Sequence, residues 1–269
     1  MPPDRSTDLS PDASPAGIRL RALRLADIGR WLALGWRDFT RAPGIGIFYG
    51  GCFALMGWGL LAAFEHAPVY VLVLAAGFML VGPFLCMGLY RVSQHLERGE
   101  RPDFEDSLIA WNTRTGSLAI FGFTLLVIEM IWSRVALVIF AVSFDGMPDF
   151  KGSLLALLDP QNLQFIVAYL AAGAVFAGLI FAVSVVSIPM ILDRPVDAIT
   201  AGLTSMRLTL SQPLVTIAWG AVITALVVLA MLPWFLGLLV VGPVLGHASW
   251  HAYRAAVVPA PAADASATA

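Results

Sequence analysis

Long apolar runs, each closed by a cluster of arginines or by a short polar break, dominate the pattern along this chain. A helix needs about 20 apolar residues to cross a hydrocarbon core about 30 Å thick. Residues 44–64 and 68–90 meet that length and are separated only by Glu65, His66 and Ala67, which predicts a hairpin. Residues 117–143 and 162–192 supply a third and a fourth candidate span. The block 213–253 is too long for one crossing. Pro233 is placed to divide it, because proline lacks an amide proton and clashes with the preceding helical turn. Spans at 213–232 and 233–253 follow, giving an all-α, polytopic membrane bundle of about six helices. Residues 26–256 form the membrane domain, and the Pro-, Ser- and Ala-rich segments 1–25 and 257–269 are expected to be disordered tails.

Between the spans, shorter segments carry a different pattern. In Ala26–Arg41, Ile28, Trp31, Leu32, Trp36 and Phe39 fall mostly on one helical face, with Arg30, Arg37 and Arg41 on another. That is the pattern of a helix lying in the headgroup layer. Phe104, Leu108 and Trp111 make a shorter version, opened by Asp103 as N-cap. Val196, Ile199, Leu203, Met206 and Leu210 make a third. The unit of interfacial segment, span, span therefore recurs. Arg37, Pro43 and Gly50 match Arg207, Pro213 and Gly220 at one constant offset. Gly77, Gly82, Pro83 and Leu85 match Gly237, Gly242, Pro243 and Leu245 at a second, shorter one. Three copies are expected, and the middle copy ends its second span in Ser187-Ile188-Pro189.

Composition strengthens the membrane reading. Hydrophobic residues make up 59% of the 269 and charged residues only 13%, about half the share of a soluble domain. The positive charges are one-sided: arginines crowd the N-terminal segment, the 91–114 and 194–207 connections and Arg254, whereas the opposite loops offer only Lys151. The positive-inside rule then places both termini on the cytoplasmic side of the membrane. No basic domain points to nucleic acid. The lipid bilayer is the expected partner, with other membrane proteins or further copies of the chain as possible neighbours.

Four sequence blocks then suggest a relationship: Gly35-Trp36-Arg37-Asp38-Phe39, Leu96-Glu97-Arg98-Gly99-Glu100, the run Ser187 to Arg194, and Gly246-His247-Ala248-Ser249-Trp250-His251. Over roughly residues 28–256 the chain resembles an uncharacterised bacterial family of predicted integral membrane proteins, a domain of unknown function. The resemblance implies location and fold, but no activity or site. Some members of that family carry the label of a cytochrome c oxidase subunit. A haem-copper centre needs several histidines inside the bundle, and the chain has four in all.

Candidate chemistry is sparse. Glu129 lies near the middle of the third span, where an ionised side chain costs on the order of 2.5–3.5 kcal/mol on insertion scales. It should face the bundle interior, and Arg134 is the nearest opposite charge, although five residues put the two about 140° apart around the helix. His247 and His251 share a face near the end of the last span. They are candidates for a metal or haem site, or for a polar belt satisfied by water and headgroups. Gly82-Pro83, Pro189 and Gly242-Pro243 are candidate kink or packing positions, and Gly46/Gly50 and Gly242/Gly246 are GxxxG pairs. Cys52 and Cys86 read as small packing residues. No phosphate-binding loop, HExxH or nucleophile elbow is present, and no cofactor or metal is expected. The sequence supports a non-enzymatic accessory or structural membrane component, with a small-solute or ion transporter and a redox accessory subunit as rivals.

Overall fold

The computed structural model describes residues 18–66, 71–143 and 163–259. The outer parts of both expected tails, Lys151 and the loops containing 67–70 and 144–162 lie outside the described residues. The chain runs β1 (Ile18–Leu20), α1 (Leu25–Arg41), α2 (Pro43–His66), α3 (Val71–Glu97), α4 (Phe104–Leu108) and a 3-10 turn (Ala110–Arg114). It continues through α5 (Thr115–Ser143), α6 (Leu163–Ser184), α7 (Ser187–Asp193), α8 (Ala198–Ser211), α9 (Pro213–Met231), α10 (Leu238–Ala256) and β2 (Val257–Pro259).

Among the described residues, four stretches are long and apolar enough to cross a membrane: Pro43–His66, Thr115–Ser143, Leu163–Asp193 and Pro213–Met231. Their surfaces make the case. Val142 is 79% exposed, Val175 70% and Phe123 66%, and surfaces of this kind require an apolar surrounding rather than water.

Glycines set how closely the apolar helices pack. A β-carbon at Gly50 would collide with the Leu239 carbonyl, and one at Gly57 with the Phe235 ring. The α2 backbone therefore lies directly against the start of α10, running antiparallel to it. Tyr49 lies against Gly88, and Gly59 faces Phe78, so α2 is also antiparallel to α3. Trp132 packs on Tyr169 and Gly173, and Phe140 on Phe165, which makes α5 and α6 antiparallel in turn. At Gly82, by contrast, a β-carbon would meet nothing within 4 Å, so close packing does not explain that glycine. Helices α3 and α10 run on through Pro83 and Pro243.

The expected start of the last helix at Pro233 is corrected: α9 stops at Met231 and α10 begins at Leu238. Trp234 and Phe235 both have positive φ, 53° and 63°, a conformation that costs L-residues roughly 1–2 kcal/mol each. The Trp58 indole donates to the Trp234 carbonyl at 2.7 Å, and the Phe235 ring fills the space over Gly57, fixing the break. The expected helix 162–192 is also divided. Val185 and Val186 interrupt it four and three residues before Pro189, where the missing amide would have faced Val185. Ser205 covers the break, its hydroxyl donating to the Ala182 carbonyl at 2.7 Å and accepting from the Val186 amide at 3.4 Å. Ser187 donates to the Val183 carbonyl.

Two further expectations change at one end of the bundle. Helix α1 does not simply rest among headgroups: Gly35 lies against the Val244 carbonyl and Ala248, so α1 runs antiparallel along the second half of α10. Trp31, expected at the interface, is 3% exposed and meets Trp219 edge-on at 5.5 Å, whereas Trp36 is exposed. The inner parts of the expected tails are ordered too. Ile18–Leu20 pairs antiparallel with Val257–Pro259, and the Arg21 amide continues the ladder to the Ala256 carbonyl at 2.9 Å. The last turns of α3 and α10, together with α7, the 3-10 turn and this ribbon, make a packed head around Tyr90, Trp250, Tyr253 and the buried run Ser187 to Leu192, and α1 packs beside it through Ile28 and Trp31 against Leu245 and Ala248.

Helices α1 and α8 both end in the same unusual backbone step. Ala42 has φ −132° and ψ 55°, and Gln212 φ −135° and ψ 57°. Each precedes a proline that opens the next helix.

Candidate functional site: a buried polar network in the head

Helix α1 buries Ile28, Trp31, Gly35, Asp38 and Phe39 as one stripe. Spacing of three and four residues puts Asp38 in that stripe, so seating the helix on α10 carries a carboxylate inside with it. Asp38 is 4% exposed, and a buried carboxylate persists only when hydrogen-bonded or paired. Its Oδ2 accepts from the Ser93 hydroxyl at 2.8 Å and from His251 Nε2 at 2.7 Å. Burial pushes the Asp38 carboxyl up, but the hydrogen bonds from His251 and Ser93 outweigh it. The group is held below its ordinary value of 3.8.

The Ser93 oxygen also lies 2.8 Å from His247 Nδ1. A hydroxyl has one proton, and an ionised carboxylate can only accept, so the serine proton goes to Asp38 and His247 Nδ1–H donates to Ser93. His247 Nε2 is buried without a hydrogen-bond partner among the described residues.

The network continues outward. His251 Nδ1 lies 3.7 Å from Glu97, which pairs with Arg254 at 3.1 Å. Arg254 reaches Asp193 at 3.4 Å. The Tyr253 hydroxyl donates to Asp193 at 2.7 Å and accepts from Arg194 Nε at 2.9 Å. Gln94 Nε2 donates to the second Asp193 oxygen at 3.1 Å, and its own carbonyl accepts from Arg91 at 3.0 Å. Arg91 closes on Asp106 of α4 through a forked pair at 2.7 and 3.3 Å, with His95 3.2 Å from the same carboxylate. The Arg91 guanidinium holds the Asp106 carboxyl below its ordinary value, against a smaller opposing effect of burial. Five helices that meet at no point in sequence are tied together through one set of side chains.

The candidate residues fall into this frame unevenly. His247 and His251 are 0% and 8% exposed, so neither belongs to a water-satisfied belt. One nitrogen of each is held by Ser93 or Asp38. Among the described residues, no group of three or more His, Cys, Asp or Glu side chains is placed to hold a metal. Glu129, the central residue of α5, is 7% exposed and shares the buried stripe of Leu118, Phe121, Leu125 and Ala136. Arg134 is exposed on another face, and no ion pair joins it to Glu129 among the described residues. Pro189 sits in α7, Gly242 packs under the Phe53 ring and Gly246 against Leu89. Asp38, Ser93, Gln94, Glu97 and Asp193 were not singled out from sequence. The signal available was Asp38, an acid at a core position of an amphipathic helix.

A bundle with lipid-facing apolar helices and a polar head of this kind defines a polytopic α-helical membrane protein. Residues 71–193, from the start of α3 to the end of α7, match the family described as predicted integral membrane protein (DUF2189). The resemblance to an integral-membrane family of unknown function thus rests on a direct match to that segment. No curated protein and no solved structure matches the chain.

Proposed function

We propose that the chain crosses a bacterial inner membrane six times as three antiparallel helix pairs, α2/α3, α5/α6 and α9/α10. The head and both flanks then lie in the cytoplasm. The β1–β2 pairing supports an even number of crossings, since hydrogen-bonded strands must occupy one side of the bilayer. The antiparallel contacts of α2 with α3 and of α5 with α6 support the pairing. The equivalent backbone steps at Ala42 and Gln212 support the repeat. The arginines of the head segments support the cytoplasmic side. Reporter fusions within 67–70, 144–162 and 232–237 should all read periplasmic; a cytoplasmic signal from any one breaks the scheme.

Within that topology the protein acts as a non-enzymatic accessory or structural component, seated beside other membrane proteins or further copies of itself. One observation carries this reading: the polar side chains of the head are committed to one another, from Asp106 through Asp193 to Asp38, in the manner of a framework. Isolation in mild detergent should bring down the same membrane partners repeatedly. Isolation free of partners, together with measurable turnover, would overturn it.

A second reading, a small-solute or ion transporter, is favoured by Glu129 on the buried stripe between α5 and α6. Flux into proteoliposomes should then fall with Glu129→Gln, and unchanged flux removes Glu129 from the proposal.

A further inference from the structure

Helix α1 spends its apolar stripe inside the protein, where Ile28 and Trp31 pack on α9 and α10. Its outward side is basic. Arg30, Arg37 and Arg41 are exposed, and steps of seven and four residues bring them within about 40° of one another around the helix. They form a straight ridge about 16 Å long. Among the described residues no acid pairs with any of the three. Asp27 accepts from the Arg24 amide at the helix start, and Asp38 faces inward to Ser93 and His251. Along one flank of the ridge the surface is kept low by Gly29, Ala33 and Thr40, and a β-carbon at Gly29 would meet nothing within 4 Å. Trp36, 52% exposed, stands at the edge of that flank. The positive-inside rule counts cations without regard to where they fall on a helix, so it does not account for the alignment.

Helix α8 shows what the same outward positions look like when they are bulky and apolar. At the offset that pairs Arg37 with Arg207, Gly29, Ala33 and Thr40 correspond to Ile199, Leu203 and Leu210. Those three are 69%, 61% and 75% exposed, as suits a face against acyl chains. On α1 each is replaced by a small residue, and Arg30 and Arg41 stand where α8 has Thr200 and Ser211. A lipid-facing side does not need that exchange. A side that receives another helix does.

We propose that the ridge docks an acidic helix of a partner membrane protein, its carboxylates on Arg30, Arg37 and Arg41 and its backbone close over Gly29 and Ala33. Guanidinium groups match carboxylates in charge and in forked geometry, small residues let helix backbones approach, and arginine and tryptophan are enriched where interfaces hold most tightly. A second copy using the same face would set arginine against arginine. The inference rests on the accessory role proposed above and gives the partner its chemistry.

The test places a photo-cross-linking amino acid at Ala33 of the full chain in native membranes, with the adducts identified by mass spectrometry. The expected adduct is a peptide of another membrane protein that carries acids at helical spacing. Arg30→Glu, Arg37→Glu and Arg41→Glu together should lower its yield about tenfold, the combined worth of three exposed ion pairs, in a chain still monodisperse in detergent. Reversing the partner's acids to lysine should restore the yield, and added salt should lower it in the wild type. Adducts to phospholipid alone would give the face to the leaflet and overturn the proposal. Adducts to a second copy, a partner peptide without acids, or an undiminished yield in the triple variant overturn it too. Co-isolation of partners with no adduct at Ala33 overturns the ridge and leaves the accessory role standing; absence of both removes both.

Discussion

The head and the membrane-facing helices of this protein are held together by opposite means. Where α2 meets the start of α10 and the break before it, Gly50 and Gly57 leave room for a backbone and a ring, and shape carries the contact beside one hydrogen bond from the Trp58 indole to the Trp234 carbonyl. Where α1 meets α3 and α10, about 18 Å further along α10, Asp38 is gripped by Ser93 and His251, and the chain of polar contacts runs on through Asp193 to Asp106. In lipid, apolar side chains gain nothing by turning inward, so close approach must carry the association. In the head, water is close enough to reward burial, and a buried ion group must be satisfied in full or it destabilises. The medium changes along α3 and α10, and the adhesive changes with it.

That contrast can be broken experimentally. The largest effect is expected from Asp38→Ala, which leaves Ser93 and His251 buried without their acceptor. Breaking a buried ionic cluster by removing one partner costs about 3–5 kcal/mol, which corresponds to a fall in melting temperature of roughly 10 °C for a chain of this size. The loss should begin with α1 becoming cleavable by trypsin at Arg30 and Arg37 while the apolar helices stay protected. Simultaneous loss of all helices would show that head and membrane layer are one cooperative unit. Gly50→Val should cost less, about 1–3 kcal/mol from overpacking against the Leu239 carbonyl. Its signature is different: the monodisperse fraction in detergent falls, with α1 still protected.

Acid should produce a gentler version of the Asp38 variant. Because the folded-state pKa of Asp38 is depressed below 3.8, its contribution is complete above that value and declines as pH falls through the lower folded one. Asp106, depressed by Arg91, acts in the same direction. Circular dichroism should therefore report persistent helices in strong acid while α1 loses protease protection. Loss beginning well above pH 4 would point to a different group. The smallest effect belongs to Val142→Ala on the lipid face. At 79% exposure, it should alter thermal stability in detergent by no more than about 0.5 kcal/mol.

The same change of medium explains what could be read from sequence. The apolar helices are legible because hydropathy is a local property. The expected 44–64, 117–143 and 213–232 lie within a few residues of α2, α5 and α9. The far ends of α3 and α10 are less legible, since Ser93, Gln94, His247 and His251 look like residues that have left the membrane for water. They remain helical and buried because α1 and α7 cover them, and that cover is a tertiary fact. Asp38 and its partners Ser93 and His251 come from distant parts of the chain, and no single-sequence periodicity links them. The break at Trp234 and Phe235 was anticipated near Pro233, but its length depends on Trp58, contributed by another helix. Glu129 was placed inward by the expense of burying its charge elsewhere, and that argument needs only the position of one acid in one apolar run.

The short ribbon that joins Ile18–Leu20 to Val257–Pro259 sets an order of events in biogenesis. The first strand leaves the ribosome more than two hundred residues before its mate exists. Every hydrophobic segment must therefore be handed to the translocon before the domain can be fastened shut. A nascent chain stalled short of Val257 would have its helices inserted but its clasp open, and would be exposed to quality-control proteases during that interval.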